Sequence, residues 1–355
     1  MKPIQLFFTL TVCTISLFQA TIAYTQIGGR NAYEFVNLPV SARQAALGGY
    51  LIGVPDEDIS STLINPALSN DLMHNKIAFS HNFHFAGIQN GSVAYGRKLD
   101  RWGINTHVGV QYINYGDFRY ADAIGNIGGN FSASEVAIVV GASKKVAERL
   151  YLGANLKGAF SSLESYSSNG IMADFGLNYV KDSARTVISI LVRNVGAELS
   201  TYNGTAYGTP LDIQIGLTKR LKYLPFRFAI IAHQLHRGDI RYDDPNSVGQ
   251  TDIFGQPIAV NNTSNYVDNI FRHLIFNGEF LLGKSENLRL RAGYNHLRRK
   301  EMNLASFRSF AGFSLGFGIK ISIFKLDYGV AYHHAAGATN QISISTDLGR
   351  NGKKI

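Results

Sequence analysis

The chain of 355 residues holds a single cysteine, Cys13, and eight prolines. One cysteine excludes a disulfide framework and thiolate zinc sites. Cys13 lies in the leading apolar run behind a valine, a poor context for lipoprotein processing. Charged residues are scarce at 17%, yet no apolar run of about 18 residues or more follows residue 24. A bundle of membrane-spanning helices is therefore excluded. No nucleophile elbow, Walker loop or dinucleotide fingerprint is present, and the glycine-rich Gly125 to Gly129 precedes no helical pattern.

Glycine (36), tyrosine (18) and phenylalanine (22) are abundant instead. Mean hydropathy is close to zero, as strands polar on one face and apolar on the other would average. This composition favours one large β architecture over several soluble domains. The formal net charge is +9. The basic residues form no stripe with aromatics, so anionic lipid or lipopolysaccharide headgroups suit the excess better than nucleic acid. Met1 to Ala23 reads as a secretory signal. Lys2 supplies the positive start, Ile4 to Phe18 the apolar run and Thr21-Ile22-Ala23 the small-residue cleavage site.

From Lys76 onward, segments about ten residues long alternate by twos. Phe324, Leu326, Tyr328, Val330 and Tyr332 share one face; Lys325, Asp327, Gly329, Ala331 and His333 share the other. The same pattern runs through 171–179, 211–218, 288–295 and 341–348. Fourteen strands are expected, starting near Lys76, Ile88, Gly103, Glu135, Leu150, Ile171, Thr186, Pro210, Pro225, Val267, Asn287, Phe307, Ser322 and Gln341. Every second connection is tight, as at Asp100-Arg101 and Ala147-Glu148-Arg149. Those between are mostly long: Gly116 to Ser134, Val195 to Thr209, Gly238 to Tyr266, His296 to Ser306 and His334 to Asn340. Short turns on one rim and long loops on the other describe a bacterial outer-membrane barrel. Aromatics near strand ends, among them Phe83, Trp102, Tyr112, Tyr115, Tyr223 and Tyr294, suit girdles at the two membrane interfaces.

Before the strands lies Ser41 to Asn70, a compact irregular stretch. Ser41 caps a short helix that Gly48-Gly49 stops. An acidic turn, Asp56-Glu57-Asp58, follows, and Asn65-Pro66 opens a second short helix. Such a segment buries little surface by itself and needs an enclosure. The expectation is an all-β fold: a 14-stranded antiparallel transmembrane β-barrel with a small N-terminal plug containing short helices. Its parts are a signal peptide (1–23), the plug (24–75), the barrel (76–348) and a periplasmic tail (349–355).

Ala42-Arg43, Ala46-Leu47-Gly48-Gly49, Asp56-Glu57-Asp58 and Asn65-Pro66-Ala67 resemble the hatch of FadL-type barrels. With the opening Gly28-Gly29-Arg30-Asn31-Ala32-Tyr33-Glu34-Phe35-Val36-Asn37-Leu38-Pro39, residues 24–348 resemble the PorV/PorQ branch of that superfamily, components of the type IX secretion system. The resemblance implies an outer-membrane barrel of Bacteroidota in an attachment complex with a sortase-like PorU, a sister barrel PorV and a surface protein PorZ. Within that complex, which joins cargo to anionic lipopolysaccharide, this chain would anchor the PorZ-like protein. The alternative is a FadL-like transporter of hydrophobic molecules, and Gly312 to Gly318 could supply a strand kink for a lateral opening.

Ten histidines invite a metal reading, but His81 with His84, His233 with His236 and His333 with His334 have opposite strand parity. No cofactor, metal or catalytic residue is expected. Asp56 and Asp58, with Glu57, are expected to meet a positive lumen built from Lys157, Arg289, Arg291 and Lys325. Two loops are candidate docking surfaces: one with Phe118, Arg119 and Tyr120, the other with Arg241, Tyr242 and Phe254.

Overall fold

The computed structural model describes residues 31–121, 124, 126–181, 185–241, 262–283, 285–302, 309–334 and 337–349. The signal peptide, Tyr242, Phe254 and the tail beyond Gly349 lie outside the described residues. Fourteen strands close into one antiparallel barrel in sequence order, with β14 pairing back to β1. They are β1 (Lys76–Phe83), β2 (Gln89–Leu99), β3 (Ile104–Ala121), β4 (Ile127–Ala147), β5 (Leu150–Leu163), β6 (Tyr166–Lys181) and β7 (Thr186–Ser200). The circuit continues through β8 (Asp212–Arg220), β9 (Phe226–Ala232), β10 (Leu274–Leu282), β11 (Leu288–Asn295), β12 (Phe313–Ile321), β13 (Phe324–His334) and β14 (Gly337–Asp347).

The two-residue period decides which side chains enter the barrel. Along β13, Phe324 and Leu326 are 54% and 42% exposed on the outside, whereas Lys325 and Asp327 are each 5% exposed inside. An apolar exterior and a polar interior are the arrangement a lipid surround imposes, and closure leaves no unpaired edge. Lys76 pairs with Asp347, so both ends of the barrel share one rim, the periplasmic rim in such proteins.

The far rim departs from the sequence expectation. Gly116 to Ser134 is mostly strand: β3 and β4 stay paired from Asp117–Ser132 to Ala121–Ile127. Alternation continues there, weakened by glycine and serine, and pairing with the neighbour outweighs the turn-like composition. Gly196 to Ser200 likewise extends β7 against β6. Val267 lies in a helix, Asn262–Arg272, and β10 starts at Leu274; His296–Glu301 is helical as well. The barrel is consequently lopsided. β3 to β7 have 14 to 21 residues, while about 9–11 suffice to cross a membrane. β8 to β14 have 7 to 11. Tyr115 also departs from the girdle reading. It shares parity with the buried Gln111 and Ile113, packs against the plug and donates to Glu135 at 2.5 Å.

Residues 31–75 fill the interior. The chain enters near the far rim, where Ala32 N–H donates to the Gly208 carbonyl at 2.9 Å. It descends to Asn75, which bonds Gly96 and Leu348 near the periplasmic rim. Ser41 caps the helix Ala42–Ala46 by accepting from Gln44 N–H. Gly48 and Gly49 then take φ of 80° and 90°, left-handed values that glycine adopts without strain. Asn65 caps the short 3-10 helix Pro66–Leu68. Ile52, Ile59, Leu63 and Leu68 are each 0% exposed, a burial that contributes about 1.5–3 kcal/mol per side chain.

Inward-facing strand glycines make this packing possible. A Cβ at Gly293 would strike the Leu47–Gly48 backbone, one at Gly153 the Pro66–Ala67 backbone, and one at Gly329 the Ala42 carbonyl. Gly316 in β12 makes room for Ala46 rather than kinking its strand. Valine at Gly153 or Gly293 is compatible with a strand, so its cost falls on the seating of the plug. Gly153→Val and Gly293→Val barrels are expected to unfold at lower temperature in detergent and to expose residues 31–75 to protease. Wild-type melting and protection in both variants would show that the plug does not need this close contact.

Candidate functional site

The side chains best placed to control the plug form a buried charge network between it and the wall. Arg43, in the plug helix, is 0% exposed. Its guanidinium reaches Asp56 at 2.9 Å, Asp58 at 3.2 Å and Glu279 of β10 at 3.0 Å. Glu279 also accepts from Arg227 of β9 and from Arg291 of β11 at 2.9 Å. Arg291 continues to Asp327 of β13 at 2.7 Å, and Lys325 closes on Asp327 at 3.3 Å. Four cations thus face four carboxylates. Isolated buried charges carry a heavy desolvation cost, so the network holds only while all its members stay in place.

A second patch lies nearer the periplasmic rim. Glu57 accepts from Lys76 of β1 at 2.5 Å and Lys320 of β12 at 2.7 Å, with Arg289 at 3.9 Å. Partial burial would raise the Glu57 pKa, but the hydrogen bonds from Lys320 and Lys76 outweigh it and hold the carboxyl at about 2. A third cluster holds the opposite wall. Lys157 pairs with Asp174 at 2.7 Å, both side chains fully buried. Asn155 donates to Asp174 and to the Thr62 carbonyl of the plug, each at 3.1 Å. Arg193 donates to the Val36 carbonyl at 3.0 Å.

Wall side chains also bond the plug's irregular backbone. Ser314 Oγ accepts from Gly48 N–H at 2.9 Å and donates to the Ala46 carbonyl at 3.0 Å. Ser343 accepts from Ala42 N–H at 2.8 Å, and Ser92 donates to the Val40 carbonyl at 2.6 Å. Asn65 donates to Asn178 at 3.1 Å and to the Ile52 carbonyl at 2.7 Å.

Asp56 and Asp58 do meet arginine, but chiefly Arg43 of the plug itself, with Arg227 at 3.7 Å from Asp56. Arg291 and Lys325 join the network through Glu279 and Asp327, Arg289 approaches Glu57, and Lys157 serves Asp174 on the other wall. Sequence reasoning overlooked Arg43, Arg227 and Glu279 as partners. The signal was there for Glu279 and Arg227: charged residues in strands otherwise rich in phenylalanine, where a charge has to point inward. Phe118, Arg119 and Tyr120 are exposed on the β3 extension, with Phe118 stacked on Phe131 at 5.2 Å, and Arg241 pairs with Asp239 at 2.7 Å. Histidines meet across strands rather than along them: His84 with His333 at 5.6 Å and His233 with His273 at 6.5 Å. Among the described residues no three His, Cys, Asp or Glu side chains converge on a cation position.

Arg43→Met would leave two buried carboxylates, Asp58 and Glu279, and the partly buried Asp56 without their common partner. It is expected to destabilise the folded barrel by about 3–5 kcal/mol, read as a lowered urea midpoint in detergent. A loss below about 1 kcal/mol, the level of an exposed pair, would contradict the network's role. The Glu57 carboxyl has a folded-state pKa below its ordinary value of 4.5, so its contribution is present above pH 4.5 and is lost as pH falls toward 2. Wild-type stability is expected to drop more steeply across that window than Glu57→Gln, and parallel curves would refute this assignment.

Solved structures place the fold, and sequence relatives place the family. The Pseudomonas putida toluene transporter TodX aligns with a TM-score of 0.51 at 12% identity, covering 87% of this chain and 96% of that one. A Pseudomonas aeruginosa FadL homologue aligns at 0.50 and 9%, covering 87% and 98%. A UPF0164 protein of Treponema pallidum (strain Nichols) is 23% identical over 199 residues, 50% of this chain and 47% of that relative. This chain therefore spans about half the length of the curated relative it matches. The family model described as Uncharacterised protein family (UPF0164) matches residues 10–196, more than half of the chain, and the protein belongs to that family with the fold of the FadL-like outer-membrane barrels.

Proposed function

We propose that this barrel is a fixed outer-membrane anchor: a component of a type IX secretion apparatus that holds a PorZ-like surface protein beside PorU-like and PorV-like partners. One observation carries the reading. The interior is occupied by a plug tied to several strands through the Arg43–Glu279–Arg291–Asp327 network. Moving such a plug would separate buried charges, at a cost of several kcal/mol each. A fixture tolerates that restraint, whereas a conduit has to overcome it at every passage.

The lopsided rim supports the same reading. The β3–β4 hairpin continues past the β2 partner of Asn114 and carries exposed Phe118 (40%), Tyr120 (50%) and Ile127 (65%). An apolar and aromatic surface with Arg119 beside it matches the composition of interface anchors. Arg241, Tyr242 and Phe254 remain the second candidate docking segment, and the surplus of basic residues suits contact with anionic lipopolysaccharide.

A second reading, transport of hydrophobic small molecules, is favoured by one feature. An apolar groove of about 430 Å³ lies on the lipid-facing wall at the Gly278–Ala292 pair, lined by Phe226, Phe276, Phe280, Leu290, Tyr294 and Phe313. The inward residues of the same strands there are Glu279 and Arg291.

Mass spectrometry of what co-purifies from outer membranes in mild detergent separates the two. The anchor reading expects a large surface protein with sortase-like and sister-barrel components, lost on deletion of 243–262 or on replacement of Phe118, Arg119 and Tyr120 by serine, with the barrel still assembled. Recovery of the barrel alone, carrying a hydrophobic ligand, would replace it with the transport reading.

A further inference from the structure

At the periplasmic mouth a cavity of about 550 Å³ separates the plug turn Gly53–Asp56 from the turns that follow β6, β8 and β10. Among the described residues, Arg185, Arg220, Lys222, Arg227 and Arg289 line it against two carboxylates, Asp56 and Glu286. Both carboxylates are already engaged, Asp56 by Arg43 at 2.9 Å and Glu286 by Arg220 at 2.6 Å. Arg227 is committed to Glu279. The surplus positive charge therefore rests on Arg185, Lys222 and Arg289.

Arg289 is the informative member. It is only 7% exposed. Its Nε donates to the Glu286 carbonyl at 3.3 Å and its Nη2 lies 3.9 Å from Glu57. Its Nη1 is buried and has no hydrogen-bond partner among the described residues. Arg289 also lines this cavity, and an unpartnered guanidinium N–H on a side chain beside excess positive charge calls for an external anionic acceptor. The turn between β8 and β9 adds a direction. Tyr223 and Leu224 are 86% and 60% exposed beside the cavity, and Lys222 sits 5.1 Å from the Tyr223 ring centre. An exposed aromatic and leucine next to a cluster of cations is the pattern of a membrane interface at headgroup level.

We infer that this cavity binds a phosphate group, with Arg289 as the buried donor and Arg185 and Lys222 as the charges at its mouth. Guanidinium forks match phosphate oxygens in pairs, and a lysine adds a point charge without geometric demand. The phosphate can be carried by an inner-leaflet anionic phospholipid, which Tyr223 and Leu224 would meet, or by a soluble periplasmic phosphomonoester. The site does not depend on whether the barrel serves as anchor or transporter.

The test uses the full-length barrel, delipidated in an uncharged detergent. Phosphatidylglycerol binding is followed by native mass spectrometry, and glycerol phosphate and inorganic phosphate by calorimetry. Arg289→Met and the double variant Arg185→Gln/Lys222→Gln are each expected to weaken binding tenfold or more, with raised salt doing the same to wild type. Retention of phosphatidylglycerol without measurable binding of the soluble phosphates assigns the site to lipid. Comparable binding of glycerol phosphate assigns it to a soluble ligand, and both results support phosphate recognition. Binding of neither probe, or equal binding by wild type and variants, overturns the inference. Should Arg289→Met fail to assemble, the exposed double variant decides the question alone.

Discussion

The plug has to be both irregular and buried, and the rest of the molecule answers to that constraint. Short helices and turns leave many backbone N–H and C=O groups without internal partners. Inside a closed barrel these groups have little access to water, so the wall must supply hydrogen bonds. It does so with small inward side chains: Ser92, Ser314 and Ser343 each bond a plug main-chain atom. Glycines at neighbouring inward positions let the two backbones approach closely enough for those short side chains to reach. A larger residue at either kind of position would push the plug away from its partners.

Charge is handled by the same logic. Arg43 could not be buried at 0% exposure unless the plug and the wall both brought carboxylates to it. Asp56 and Asp58 arrive from the plug, Glu279 from β10, and the excess negative charge passes on to Arg227 and Arg291. The network is self-neutralising around Arg43, and nearer the periplasmic mouth it gives way to a surplus of cations. That gradient links the mechanics of the plug to the chemistry of the mouth: carboxylates are consumed in holding the plug, and arginines beyond them are left facing a cavity.

The lopsided rim follows from a different balance. β3 to β7 continue well past the length a membrane requires, and each added residue on one strand finds its hydrogen bonds on the next. The shorter strands β8 to β14 end lower, and helices lie in the β9–β10 and β11–β12 connections. Asp268 of the helix Asn262–Arg272 holds His296 and Lys300 of the helix His296–Glu301, each at 3.1 Å. One side of the far rim is thus a standing sheet and the other a packed pair of helices.

The sequence by itself determined the elements whose signal is local. Period-two alternation marked the membrane strands, because lipid on one side and a polar interior on the other leave each side chain a single acceptable direction. Ser41, Gly48-Gly49 and Asn65-Pro66 marked the plug's caps, because a cap is satisfied within three or four residues. Strand extensions such as 127–134 were hidden, because their stability comes from a paired neighbour and their glycines and serines read as loop. The partners of Asp56 and Asp58 were decided only by the tertiary structure. Arg43, Arg227 and Glu279 lie 12 to 236 residues from the groups they bind. Arg227, Glu279 and Arg291 face one another through the pairing register of β9, β10 and β11, and Arg43 reaches Glu279 only because the barrel encloses the plug.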